Sequence, residues 1–239
     1  MNMGGVFIMF FKKKLDIDYG VNRIPEKLPL EGSMRLGLMQ DWDDRLVDIV
    51  RKKKIESFSI NSLSTTHSLD FLESLKDYNL REVALYVYSG KDIRGLIHLK
   101  DSLEVFVTDI ISFTKAPDFT QFPKLRLFDS NWRNSLKSVL ESQTITSLGL
   151  GKHPFETLEP FANMPQIETL VLHYGKLKSL KGIENLPNLK ELSIFSARKL
   201  ESLDGIQNAP KLEKAVITRC KQITPDTPFA EYVTFNDLY

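Results

Sequence analysis

The side chains able to carry polar chemistry are few and scattered. The chain has four histidines, His67, His98, His153 and His173, and a single cysteine, Cys220. A transition-metal site needs imidazoles or thiolates at short fixed spacings, so that one turn or helix face presents two ligands together. None of these residues forms an HxH, HExxH or CxxC pair, so no metal site is expected. Gly149 and Gly151, in SLGLGK at 147–152, resemble a phosphate loop only superficially. A phosphate cradle is completed by the N-terminus of a following helix, and no helix signal follows here. The patterns GxGxxG, GxxxxGK[ST] and GxSxG are absent. Carboxylates are numerous, but no pair is placed by the sequence across a cleft. No catalytic group and no cofactor are therefore expected.

Two basic runs, Lys12–Lys14 and Arg51–Lys54, could attract nucleic acid or anionic lipid. Each is balanced nearby by Asp16, Asp18, Asp41, Asp43, Asp44 or Asp48, which reads as a solvated helix end. The whole chain of 239 residues carries a formal charge of +1, with 42% hydrophobic and 26% charged residues. These fractions are those of an ordinary globular protein, and near-neutrality argues against a dedicated nucleic-acid binder. One cysteine excludes an intramolecular disulfide framework and fits a reducing compartment. The apolar run from Met3 to Phe11 has its lysines after it, not before it, and is too short to span a membrane. It reads as a strand or packing segment, and the expected location is cytoplasmic, without membrane attachment.

The elements that hold these residues repeat. Ile145–Leu150, Ile167–Leu172, Leu189–Ile194 and Leu212–Ile217 each follow an LxxLxL pattern, with starts 22, 22 and 23 residues apart. The intervening stretches also match: LKSLKGIENLPN at 177–188 is similar to LESLDGIQNAPK at 200–211. Weaker copies start at Ser33, Ile55, Leu80, Ser102, Phe122 and Ala230. Each unit offers one short strand whose alternate side chains point inward and cannot be buried by that unit alone, so neighbours must stack. Helical return segments are expected at 41–51, 69–75 and 132–140. Pro160, Pro165, Pro187 and Pro210 favour short turns later in the chain.

This pattern resembles the leucine-rich repeats, in the short-period form of the bacterial internalins and the eukaryotic phosphatase regulators. Leu177, Leu180, Ile183 and Leu186, and again Leu200, Leu203 and Ile206, stand where that family places its return-segment leucines. The family's ninth-position Asn or Cys is matched only by Cys220; His153, Gly175 and Ala197 occupy the other three, which implies either a looser turn after the strand or a degenerate member of the family. The implied fold is α/β: a curved, right-handed solenoid with a parallel β-sheet on its concave face and mixed helix and turn return segments. A single domain over 1–239 is expected, with residues 1–32 as N-terminal cap, 33–222 as repeats and 223–239 as C-terminal cap. At a ninth position, Cys220 reads as a buried structural thiol rather than a nucleophile.

Function is then expected on the outward face of the strands, at the third, fifth and seventh positions of each unit. The seventh column runs Met39, Asn61, Tyr86, Thr108, Phe128, Gly151, His173, Phe195, Thr218, Asn236. Ten strands at about 4.8 Å would span on the order of 45 Å, room for a protein partner. The expected contact residues are Tyr86, Phe106, Arg126, Phe128, Val171, His173, Glu191 and Phe195, since aromatic side chains with nearby Arg anchor protein interfaces. A slip of one residue would instead turn Phe106 into the core. The family resemblance implies non-catalytic protein binding. A chain of this size without a signal or second domain resembles a bacterial adaptor or toxin-neutralising immunity protein. An internalin-like surface adhesin or host-interaction effector is the alternative; a repeat scaffold bearing an enzyme would need a further catalytic domain.

Overall fold

The computed structural model describes residues 8–11, 35–38, 42–60, 68–86, 90–109 and 113–235. His67, Met39, Asn61 and Asn236 lie outside the described residues, as does most of the expected N-terminal cap. The contacts divide the chain into two compact units, one ending at Leu125 and the other running on from Arg126.

In the first unit, β1 (Ile8–Phe11) lies antiparallel to β2 (Arg35–Leu38). Parallel pairing follows through β3 (Ser57–Ile60), β4 (Glu82–Leu85) and β5 (Val105–Thr108). The one α-helix among the described residues, α1 (Arg45–Lys53), buries Leu46 and Val50 and ends on Lys54 in the left-handed conformation, whose N–H satisfies the carbonyls of Arg51 and Val50. The other returns, Asp70–Leu75, Arg94–Leu99 and Phe119–Gln121, are 3-10 turns.

The second unit carries β6 (Leu127–Asn131), β7 (Ser147–Gly151), β8 (Thr169–His173), β9 (Glu191–Phe195), β10 (Lys214–Thr218) and β11 (Thr234–Phe235). Each is parallel to the next. Its return segment Asn134–Glu141 is again 3-10, as is Asp70–Leu75 in the first unit. Two of the three expected return helices are thus wound more tightly than α, and the first is α-helical as α1. The inward pairs Leu148/Leu150, Leu170/Leu172 and Leu192/Ile194 are buried over Leu177, Leu180, Ile183, Leu200, Leu203 and Ile206 from the returns.

Two strands sit in a different frame from the one the LxxLxL pattern indicates. Val83 pairs with Phe106 and Leu85 with Thr108, so Leu103 rather than Ser102 is the first position of that unit. The Ser102 hydroxyl is occupied in the turn, bonded to the carbonyls of Leu80 at 2.8 Å and Leu99 at 3.3 Å. Phe128 pairs with Leu148 and Ser130 with Leu150, which makes Leu125 the first position there and places Phe122 in the return beside Phe119. In both strands the second inward position holds a polar residue, Thr108 or Ser130, which breaks the pattern.

The turn after the strand is uniform rather than looser. The eighth-position residues Lys152, Tyr174, Ser196 and Arg219 all adopt φ between 52° and 55°. The N–H groups of Lys152, Tyr174 and Ser196 donate to the seventh-position carbonyls of the next units, His173, Phe195 and Thr218, at 2.8 to 2.9 Å. Polar side chains just before the strands add a second ladder. Gln166 Nε2 donates to the Ser142 and Ile145 carbonyls, Asn188 Nδ2 to the Pro165 carbonyl, and Lys211 Nζ to Asn188 Oδ1.

Candidate functional site

The outward face of the sheet is the place to look for function, and its polar residues are arranged in contact rather than dispersed. In the first unit the third positions of β2, β3 and β4 hold Arg35, Ser57 and Glu82. Arg35 Nε donates to Ser57 Oγ at 2.7 Å, and Arg35 Nη2 forms an ion pair with Glu82 Oε1. All three residues are buried. Burial raises the Glu82 carboxyl above its ordinary range, against the opposing pull of the Arg35 charge.

In the second unit a polar cluster covers the outward face of β6, β7 and β8. A Cβ on Gly151 would fall 2.5 Å from Asn131 Oδ1 and 2.7 Å from His173 Nδ1, so the two side chains flank the space above this glycine. The carboxyl of Asp129 stands over Gly149, where a Cβ would fall 2.8 Å from its Cγ. His153 occupies the space below Gly175 in the same manner, its ring stacked on Phe155 at 5.5 Å. Phe155 in turn meets Trp132 and Phe161 edge-on.

Burial sets the titration of this cluster. The His153 imidazole is pushed down to about 4, and His173 likewise, with the charges of His153 and Lys152 adding to the burial effect. The Asp129 carboxyl is pushed up to about 7 by burial. Both ring nitrogens of each histidine and Asp129 Oδ1 lack a hydrogen-bond partner in the protein. At neutral pH His153 and His173 are uncharged. Cys220 is buried and its thiol is raised by burial, against backbone hydrogen bonding at Ala197 and Thr218, which disfavours the nucleophilic thiolate. Among the described residues no group of three or more His, Cys, Asp or Glu is placed to hold a metal ion. No described helix is long and apolar enough to cross a membrane.

The eight expected contact residues do not form one exposed face. Phe106 and Phe128 are fully buried in the core, the consequence of the frames of β5 and β6. Arg126 is exposed but stands before β6, where its carbonyl accepts the N–H groups of Thr146 and Ser147. Tyr86, Val171 and His173 are on outward positions yet buried. Glu191 and Phe195 on β9 remain half-exposed. With the exposed Lys214 and half-exposed Val216 on β10, they form the accessible part of the described sheet face in the second unit. Sequence reasoning missed the buried clusters. A readable trace existed: Asp129, His173 and His153 each stand one unit away from a glycine at the matching position or its neighbour in the stack, Gly149, Gly151 and Gly175.

No family model matches the sequence, and no curated protein matches it. Among solved structures, the leucine-rich-repeat domain of the type III effector XopL superposes with a TM-score of 0.60 at 14% identity, over 84% of this chain and 73% of that one. Internalin C2 of Listeria monocytogenes superposes with a TM-score of 0.50 at 16% identity, over 68% of this chain and 71% of that one. The fold is that of a leucine-rich-repeat solenoid.

Proposed function

We propose that this chain is a non-catalytic binding protein, an adaptor or toxin-neutralising protein, that takes a partner protein on the outward face of β9 and β10. The observation that supports it most is the half-exposed Phe195. It stands at the seventh position opposite Thr218, on a strand face whose third and fifth positions leave Glu191, Lys214 and Val216 accessible, while the outward residues of β7 and β8 are buried. An aromatic ring on a strand face that also carries charges of both signs has the composition of an interface anchor. The absence of an activated nucleophile at Cys220 and the neutral, enclosed histidines agree with a non-catalytic role.

The test is affinity capture from the source cells followed by titration of the isolated partner. Phe195→Ala is expected to weaken binding by roughly 30-fold, the effect of losing a hot-spot residue of about 2 kcal/mol. The melting temperature should barely change, since the ring is not in the core. Unchanged affinity in a Phe195→Ala/Lys214→Glu variant would reject this face as the binding site.

A further inference from the structure

The turns that follow β7, β8, β9 and β10 hold charge of one sign. Positions eight to eleven of these units read KHPF at 152–155, YGKL at 174–177, SARK at 196–199 and RCKQ at 219–222. They contain Lys152, Lys176, Arg198, Lys199, Arg219 and Lys221 and no acidic residue. All six cations are exposed, and Tyr174 beside them is 45% exposed. The neighbouring parts of the same repeats are mixed in sign: Glu156 pairs with Lys178, Glu159 with Lys181 and Glu168 with Lys190, each across one repeat. In a chain of net charge +1, this segregation is local.

The geometry of the edge is fixed by the backbone. The eighth-position residues share one left-handed conformation, and the N–H of one turn bonds the seventh carbonyl of the next unit. The cations therefore recur at the spacing of the strands, about 4.8 Å, and four turns make a row on the order of 15 Å long. Each side chain reaches solvent from a turn that is held in register. No ordering of the backbone is required before a ligand meets them.

We infer that this edge of the second unit recognises a short acidic segment of a partner protein, an extension of the protein-binding role proposed above and dependent on it for its biological meaning. An extended chain advances about 3.3 Å per residue, so four to six residues match the row. A nucleic acid fits less well. Interfaces with duplexes bury on the order of 1,000 Å² or more, and a phosphate backbone running past this short row would meet carboxylates at once. Glu156 sits close enough to Lys176 and Lys199 to feel both charges, and Glu201 lies close enough to Lys178 to feel its charge. Tyr174 supplies an aromatic surface at the middle of the row for an apolar residue flanking the acids.

The test uses the full chain and a fluorescent six-residue oligoglutamate, with oligoglutamine and oligothymidylate of equal length as competitors. Anisotropy should report binding of oligoglutamate that weakens at least tenfold between about 50 and 200 mM salt, because the contact is between solvated charges. The variant Lys176→Gln/Arg198→Gln/Lys199→Gln/Lys221→Gln replaces exposed side chains only and should keep its melting temperature while losing at least tenfold in affinity. Absence of oligoglutamate binding by the wild type, or equal binding by the variant, overturns the inference. Stronger competition by oligothymidylate also overturns it, in favour of a nucleic-acid ligand. The sheet-face variant Phe195→Ala should bind the peptide normally, so failure at the edge and failure at the sheet face are read separately.

Discussion

A methyl group added at Gly151 would intrude on the His173 ring and the Asn131 amide. The glycine and the histidine are therefore one packing unit, shared by adjacent strands. Gly151→Ala should destabilise the protein by about 1–3 kcal/mol, the usual cost of overpacking. His173→Ala opens space at the same point, so the double variant should be less unstable than the sum of the singles by at least about 1 kcal/mol. Urea unfolding of the four proteins measures this coupling; strict additivity would mean that the ring moves aside freely. The same logic explains why single residues misled the sequence reading. His173 is a polar side chain at an outward position, and such a residue is expected in water. Its burial depends on Asn131 and Gly151, which stand 42 and 22 residues earlier in the chain, and no local pattern carries that information.

At the scale of the strand and its turn, much was legible. From Ile145 onward both inward positions are leucine or isoleucine up to β9, and the units read from the sequence are the units in the structure. The frames of β5 and β6 were misread because Thr108 and Ser130 occupy inward positions that the pattern reserves for leucine. Phe122 to Leu127 satisfied the pattern by coincidence, since Phe122 packs in the return segment against Phe119. The turn conformation was also hidden. None of Lys152, Tyr174, Ser196 and Arg219 is a residue that favours positive φ, yet all adopt it. The stacked turn enforces this against a cost of about 1–2 kcal/mol for each L-residue. Ser196→Gly is expected to relieve that cost and raise stability by about 1 kcal/mol, or about 2–4 °C in melting temperature for a chain of this size. Ser193→Gly, three residues earlier in extended backbone, should lower it. A fall in melting temperature for Ser196→Gly would show that its side chain contributes more than the backbone strain costs.

For the whole molecule, stability must follow pH through the groups that folding encloses. The folded-state values of His153 and His173 are depressed to about 4 from an ordinary 6.5. Their contribution is fully present above 6.5 and is lost as pH falls through about 4, because the unfolded chain takes up protons first. Asp129 is raised to about 7 from an ordinary 3.8, so its contribution is present below 3.8 and lost as pH rises through about 7. Glu82 is shifted in the same direction as Asp129. Between about 4 and 6.5 the two histidines bind two protons in the unfolded chain, and Asp129 holds one in the folded protein. From these three groups one net proton is released on folding, a contribution of about 1.4 kcal/mol of stability per pH unit, which the raised Glu82 carboxyl reduces at the acid end of this range. Above 6.5 the histidine contribution is saturated and the carboxyl contribution still declines, so the maximum lies near neutrality on its acid side. Urea midpoints at pH 5, 6.5 and 8 should trace this peak. Asp129→Asn removes a titrating carboxyl without removing bulk, and should flatten the alkaline side while steepening the acid side by about one proton. His173→Gln should flatten the acid side alone. A protein equally stable at pH 5 and 6.5, or an alkaline limb untouched by Asp129→Asn, would show that these groups reach water in solution. The outward face of β6 to β8 would then be open to a partner as well.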